Sequence, residues 1–115
     1  MATLTIQDGE LVVALSRWEK AGAVHGDVRV PLHSVEDVSV SAQPFGELRG
    51  LRAPGAGWPR AIALGTWRYR GGKDFAALYR RRPAVIVRLR DAEFGRLLIA
   101  ADDAETVAAR IREAA

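Results

Sequence analysis

The segment LTIQDGELVVAL, residues 4–15, alternates large apolar side chains with polar ones on both sides of an Asp-Gly pair. Asp-Gly within such alternation is the strongest short-range signal for a two-residue β-hairpin turn. That turn places Ile6 opposite Leu11 and Leu4 opposite Val13, so the large apolar side chains share one face. The sequence therefore predicts an N-terminal β-hairpin with one buried face.

A short helix is predicted directly after this hairpin. Ser16 and Glu19 have the spacing of a capping box, in which each side chain accepts a hydrogen bond from the main chain of the other residue. Gly26 can adopt the left-handed conformation that commonly ends a helix. Together these signals predict a helix over residues 16–25.

Further strands follow from short alternating apolar runs. They are predicted around residues 28–32, where Pro31 indicates an edge strand, and around residues 38–40. A second hairpin is predicted with its turn at Gly71-Gly72, and two more strands are predicted over residues 84–89 and 96–100.

Residues 43–60 are rich in Gly and Pro and show neither helical nor strand periodicity, which predicts a long loop. Loops of this length are uncommon in small domains unless they serve a function or pack as a cover over the surface. We therefore expect this segment to contribute to a binding surface or to cover part of the core.

The chain is predicted to end in an amphipathic helix. Asp102 and Glu105 form a second capping-box pattern, and the apolar stripe after it consists of Ala104, Val107, Ala108 and Ile111. The order of elements predicts a mainly-β α+β fold. We expect an antiparallel β-barrel or bent sheet of about seven to eight strands, closed by the C-terminal helix.

Length and composition predict one soluble domain over residues 1–115. A chain of this size buries roughly two thirds of its unfolded surface, which is enough for one core. Because Cys is absent, disulfides and thiolate metal sites are excluded, and a reducing cytoplasmic location is expected. The first residues resemble neither a secretion signal nor a transmembrane helix.

The net charge of +3 conceals a strong segregation along the chain. Residues 1–45 and residues 91–115 each carry three basic and six acidic side chains, whereas residues 46–90 carry eleven basic and two acidic ones. Most of the basic residues are Arg, whose planar guanidinium suits bidentate contacts with carboxylates and phosphates. A binding function is therefore predicted within the basic middle of the chain.

Three segments resemble a known class of proteins: VPLHSVEDVSV at residues 30–40, GLRAPG at residues 50–55 and GKDF at residues 72–75. The first is similar to a strand, turn and strand motif of bacterial pleckstrin-homology-like domains, and the other two resemble a family of short uncharacterised actinobacterial proteins. The resemblance implies a barrel with a C-terminal helix and no known activity. The lipid site of the wider superfamily is not carried over, because the turn that would hold its basic residues contains Asp8.

No catalytic, metal or cofactor site is predicted. The two histidines, His25 and His33, lack the partners of a triad or a metal site, and an elbow with a nucleophilic Ser is absent. The Gly pairs at residues 55–57 and 71–72 lack the spacing and the following helix that phosphate loops require. The protein is therefore predicted not to be an enzyme.

The predicted function is a non-enzymatic binding or scaffold module that docks a protein partner or an anionic surface, including the surface of a membrane, through the basic segment 49–82. Alternating aromatic and Arg side chains also suit single-stranded nucleic acid. A purely structural or assembly role is the third alternative, in which the edge strand near Pro31 or the long loop pairs subunits. Apart from these functions, the Arg side chains can form an ordinary charged surface and pair with the acidic ends of the chain. The candidate residues are Arg49, Arg52, Trp58, Arg60, Trp67, Arg68, Tyr69, Arg70, Lys73, Arg80, Arg81 and Arg82.

Overall fold

Nine strands and two α-helices are found in a computed structural model that describes residues 1–58 and 61–115, with only the main chain described for residues 53–58. Two single 3₁₀ turns also occur, at Leu32–Ser34 and Pro44–Glu47. In chain order the elements are β1 (Thr3–Gln7), β2 (Glu10–Ala14), α1 (Arg17–Ala23), β3 (Val28–Pro31), β4 (Val35–Ser41), β5 (Leu51–Trp58), β6 (Ile62–Tyr69), β7 (Gly72–Tyr79), β8 (Ala84–Leu89), β9 (Arg96–Ala100) and α2 (Ala104–Ala114).

The strands form two sheets. The smaller has the order β1-β2-β3, and the larger has the order β4-β8-β9-β7-β6-β5. The mainly-β α+β class with a C-terminal helix is confirmed, but the two sheets do not join into a closed barrel among the described residues. The strand count exceeds the predicted seven to eight, and β7 pairs with β9 in parallel rather than antiparallel fashion. After β7 the chain first forms β8 on the far side of β9. Strand β9 then runs back between β8 and β7, antiparallel to β8 and therefore in the same direction as β7.

The N-terminal hairpin has the predicted register. Ile6 lies opposite Leu11 and Leu4 opposite Val13. All four side chains belong to the larger apolar core, either within it or packed against it. Pro31 of β3 lies opposite Glu10 of β2, and β3 is an edge strand, as predicted. Local alternation and turn chemistry were therefore sufficient to predict this hairpin, whereas the pairing of β3 with β2 was not predicted.

Helix α1 starts as predicted and ends earlier than predicted. The capping box is complete, because the Glu19 N–H donates to Ser16 Oγ at 3.3 Å and the Ser16 N–H donates to Glu19 Oε1 at 2.8 Å. The left-handed residue after the helix is Val24, with φ 53°, and not Gly26. The N–H groups of Val24 and His25 already satisfy the last helical carbonyls, so the chain leaves the helix before Gly26.

The predicted loop over residues 43–60 is wrong over residues 51–58, which form β5 and pair with β6, while residues 59–60 lie outside the described residues. Strand β5 lies at the edge of the sheet and does not need an alternation of apolar and polar residues. Its pairing with β6 is interrupted by a register shift between Arg52 and Gly55, and Pro54, which cannot donate a main-chain hydrogen bond, is tolerated there. Gly50, with φ 82°, leads into the strand where a Cβ would overlap the Arg68 carbonyl. Only Gly fits that position.

Two predicted turns are also corrected. The second hairpin pairs Tyr69 with Gly72, so its turn is Arg70-Gly71, one residue before the predicted pair. The second capping box does not form: Asp103 is the N-cap of α2 and makes no side-chain cap hydrogen bond. The Asp102 carboxylate instead accepts a hydrogen bond from Arg82.

Both faces of the larger sheet are apolar. One face packs against the smaller sheet and both helices. The side chains that α2 buries there are the predicted ones, Ala104, Val107, Ala108 and Ile111. The other face carries a second apolar cluster, against which Phe45 and Leu48 pack. The segment at residues 42–50, hereafter the covering segment, therefore lies over this face and links β4 to β5. The second apolar cluster consists of Ala63, Trp67, Ala76, Leu78, Ala84, Ile86 and Leu98.

Candidate basic cleft

The structure distributes the basic candidates between two ends of the larger sheet. Arg68, Arg70 and Lys73 lie at the β6–β7 hairpin, and Arg52 is opposite Trp67 toward the same end. Residues 80–82 follow the other end of β7, and a strand of that length spans roughly 25 Å. Arg60 and the side chain of Trp58 lie outside the described residues. The described candidates therefore form two groups and not one continuous patch.

Trp67 belongs to the core. Its side chain is 7% exposed and lies in the second apolar cluster with Leu78, Ile86 and Leu98. A ring in this position is covered by the protein itself, so it is not exposed for stacking on a ligand. Sequence alternation placed Trp67 on one face of a hairpin but did not reveal that both faces are covered.

Arg49 and Tyr69 belong to a polar network around Asp74, whose side chain is 1% exposed. Arg49 donates to the Asp74 carboxylate from Nε at 2.8 Å and from Nη2 at 3.2 Å, and the Tyr69 hydroxyl donates to it at 2.9 Å. The hydrogen bond to Asp74 raises the pKa of Arg49, and burial raises the pKa of Tyr69. The Arg49 guanidinium also lies 4.1 Å from the Tyr69 ring centroid, so one face of that ring is occupied.

Arg96, which was not among the residues predicted from the sequence to form a site, completes this network. Its Nε and Nη2 lie 3.0 and 2.9 Å from Asp74 Oδ2, and Nη2 donates to the Glu47 carbonyl at 2.6 Å. The only signal in the sequence was that Asp74 is one of two acidic residues in the basic middle. Since Arg96 also lies 3.6 Å from the Glu47 carboxylate, two cations are balanced by two anions. This network holds the covering segment onto β7 and β9.

Two further basic candidates are paired with acidic residues from the C-terminal part of the chain. Lys73 Nζ lies 3.2 Å from Glu93 Oε2 and 5.2 Å from the Phe94 ring centroid. Arg82 donates to the Asp102 carboxylate. Part of the basic middle is thus neutralised within the molecule, as one alternative of the sequence analysis expected.

Arg80 and Arg81 remain exposed, and neither makes an ion pair within the described part of the chain. They occupy a turn in which the Arg82 N–H donates to the Tyr79 carbonyl at 3.3 Å. Arg81 is the third residue of this turn and has φ 60°, a conformation that favours Gly or Asn. The two Arg residues are therefore adjacent on a defined turn, and the backbone conformation of Arg81 is unfavourable for a residue with a Cβ.

These residues form one wall of a cleft of about 470 Å³. The opposite wall is the start of the covering segment, from Ala42 through Gln43 and Pro44 to Phe45. Hereafter the basic cleft means these seven residues. One wall is cationic, whereas the other consists mostly of apolar side chains. A volume of this size lies within the range of small-ligand sites.

The basic cleft offers donors and no reactive group. Its side chains supply guanidinium N–H groups and the Gln43 amide, and a guanidinium stays protonated in proteins. His25 packs against Phe75 and Phe94, with ring centroids 5.3 and 5.8 Å away. Within the described residues, no three or more His, Cys, Asp or Glu side chains are grouped as metal ligands. The chemistry available in the basic cleft is recognition of an anion next to an apolar group.

A second cavity of about 340 Å³ lies between the start of β1, the end of β9 and α2. Its floor includes Leu4, Ile99 and Val107, and charges of both signs lie at its rim, from Asp103 and Arg110. The opposing charges favour no particular ligand. The basic cleft is therefore the stronger candidate site.

Comparison of the chain with protein-family models, with curated proteins and with solved structures finds no match. In the part of the chain that the structure describes, neither helix has the length and apolar content needed to cross a membrane.

Proposed function

We propose that this protein is a non-enzymatic binding module that docks an acidic segment of a protein partner in the basic cleft. The observation that carries the proposal is the pair Arg80 and Arg81, which are exposed and lack ion-pair partners among the described residues. They line a cleft of about 470 Å³. Arg side chains form bidentate, charge-assisted hydrogen bonds with carboxylates.

The backbone of Arg81 supports a functional role for this turn. A left-handed conformation costs a residue with a Cβ about 1–2 kcal/mol relative to the usual right-handed one, and Gly would avoid that cost. Strained residues of this kind cluster at ligand-binding and catalytic sites. The presence of Arg where Gly would be more stable is consistent with a requirement for the guanidinium.

A protein partner is favoured over nucleic acid by the fate of the aromatic candidates. Trp67 is buried, and Arg49 covers one face of the Tyr69 ring, so the alternating aromatic and Arg pattern does not form an exposed stacking surface. Tight nucleic-acid binding also uses contacts with many phosphates along an extended basic track. The basic cleft has only two unpaired cations, which is few for tight binding to nucleic acid. These cations line a concave surface, which fits a broad, flat anionic membrane poorly.

The test compares two variants that remove the same charge. R80S/R81G removes both guanidinium groups of the cleft, with Gly suited to the conformation of residue 81. R52S/R70S removes two exposed guanidinium groups at the other end of the sheet. Binding is measured by NMR titration with poly(L-glutamate), a single-stranded oligonucleotide and phosphatidylserine vesicles.

Poly(L-glutamate) is expected to bind, and R80S/R81G is expected to weaken its affinity about tenfold or more, because charge-assisted hydrogen bonds contribute about 1.5–3 kcal/mol each. R52S/R70S is expected to retain the affinity of the parent protein. Equal losses in both variants, no binding of poly(L-glutamate), or tighter binding to the oligonucleotide or to the vesicles would each contradict the proposal.

A further inference from the structure

We infer that the segment bound in the basic cleft is amphipathic, with an aliphatic or aromatic side chain next to two carboxylates. This inference rests on the proposed function and specifies the chemistry of the partner. It follows from the difference between the two walls, because a purely acidic segment would satisfy only the wall at residues 80–82.

The apolar wall is presented by the covering segment. Pro44 is buried, while Phe45 is half-buried and packs with part of its surface against the second apolar cluster. The rest of Phe45 lines the basic cleft together with Ala42. Removal of such apolar surface from water by a partner lowers the free energy of the complex and so favours binding. The partner therefore needs an apolar side chain at this wall.

The covering segment is held in place at several points. The Gln43 N–H donates to Ser41 Oγ at 3.1 Å, and the Gly46 N–H donates to the Gln43 carbonyl at 3.1 Å. Beyond the 3₁₀ turn, Arg49 is bound to the buried Asp74 carboxylate. A wall fixed in this way is pre-organised, so little conformational entropy is lost when a ligand packs against it.

The cationic wall sets the number of carboxylates. Arg82 already binds the Asp102 carboxylate within the molecule, which leaves Arg80 and Arg81 for a partner. The same contact shows that a carboxylate is accommodated beside this turn. Two acidic side chains on the partner would neutralise the remaining pair, and further acidic residues would find no unpaired cation lining the basic cleft.

The test uses three synthetic peptides of equal length that alternate Glu with Leu, Glu with Ser, and Lys with Leu. The Glu-Leu peptide is expected to bind the parent protein about tenfold more tightly than the Glu-Ser peptide. Intermolecular NOEs between its Leu methyl groups and the Phe45 ring are expected, and no binding of the Lys-Leu peptide is expected. The NOE measurement uses the unmodified protein, so the contact with Phe45 is tested without a variant of that residue.

Equal affinities of the Glu-Leu and Glu-Ser peptides, both lost in R80S/R81G, would overturn this inference and leave the proposed function standing. Binding of the Lys-Leu peptide, or NOEs only to residues outside the basic cleft, would overturn it as well. Failure of both acidic peptides and of poly(L-glutamate) to bind would instead overturn the proposed function, and the inference with it.

Discussion

The guanidinium of Arg112 donates two hydrogen bonds to the main-chain carbonyl of Val38, from Nε at 3.2 Å and from Nη2 at 3.0 Å. Val38 lies in β4, which is the outer strand of the larger sheet and pairs only with β8. A carbonyl on the open side of an outer strand is available for pairing with another molecule. Helix α2 therefore protects this edge, and Arg112 provides the polar contact.

Arg112→Met should destabilise the protein by about 1–2 kcal/mol, because the long side chain is kept while the Val38 carbonyl loses its charged donor. It should also promote self-association through β4. Urea unfolding and light scattering after size exclusion measure the two effects. Arg110→Met is the matched control, since Arg110 lies on the same helix and is exposed. An equal loss of stability in both variants would argue against a specific role of the contact with Val38.

The sequence was sufficient to predict elements whose signals are local. The register of the first hairpin follows from the Asp-Gly turn and the alternation beside it, and the start of α1 follows from Ser16 and Glu19. The strands at residues 84–89 and 96–100 and the buried stripe of α2 were likewise predicted from periodicity, and the structure confirms them. In each case the residues that decide the outcome are close in sequence.

The remaining features depend on contacts between distant residues. Strand β5 lacks a periodic pattern because it is an edge strand that pairs only with β6. The N-cap of α2 is Asp103 and not Asp102, whose carboxylate binds Arg82, twenty positions away in sequence. The Arg cluster at residues 80–82 was identified from the sequence, but the apolar wall opposite it comes from residues 42–45 and was not predictable from local pattern. The burial of Trp67 likewise depends on distant residues, because it lies in one cluster with Leu78, Ile86 and Leu98.

Asp74→Asn should destabilise the protein by about 2–3 kcal/mol, because Arg96, whose side chain is 12% exposed, loses its buried anionic partner, whereas the half-exposed Arg49 remains in contact with water. Chemical denaturation measures the change, and NMR should show altered shifts in the covering segment. Glu93→Gln is the control, since it removes one carboxylate from a more exposed pair with Lys73 and should cost at most about 1 kcal/mol. A small effect of Asp74→Asn would mean that the network contributes little to stability.

Val24→Gly should stabilise the protein by about 1 kcal/mol. Val24 is 64% exposed and has φ 53°, a conformation that a β-branched residue adopts only with strain. Gly removes the strain, and its greater flexibility in the unfolded chain offsets part of the gain. Thermal unfolding of Val24→Gly and Val24→Ala provides the comparison, since Ala keeps a Cβ and should gain less. A lower melting temperature for the Gly variant would show that Val24 makes contacts that outweigh its strain.

The pair of Glu19 and Tyr79 should make stability depend on pH in the acid range. Burial alone would raise the pKa of Glu19, but hydrogen bonds from the Tyr79 hydroxyl and the Ser16 N–H outweigh burial and hold it below the ordinary value of 4.5. Burial also raises the pKa of Tyr79, so its hydroxyl stays protonated as a donor. A lowered carboxyl pKa contributes stability above the unfolded value, and this contribution is lost as pH falls through the folded one.

Tyr79→Phe removes the hydroxyl donor and should destabilise the protein at neutral pH by about 1–3 kcal/mol, because the buried Glu19 carboxylate loses a partner. The difference from the parent protein should shrink as pH falls through and below 4.5, where Glu19 becomes protonated. Urea unfolding across this range tests the dependence. In the background of Glu19→Gln, which has no titrating group at this position, the effect of Tyr79→Phe should be independent of pH. A pH dependence that persists in that background would assign the titration to another carboxylate.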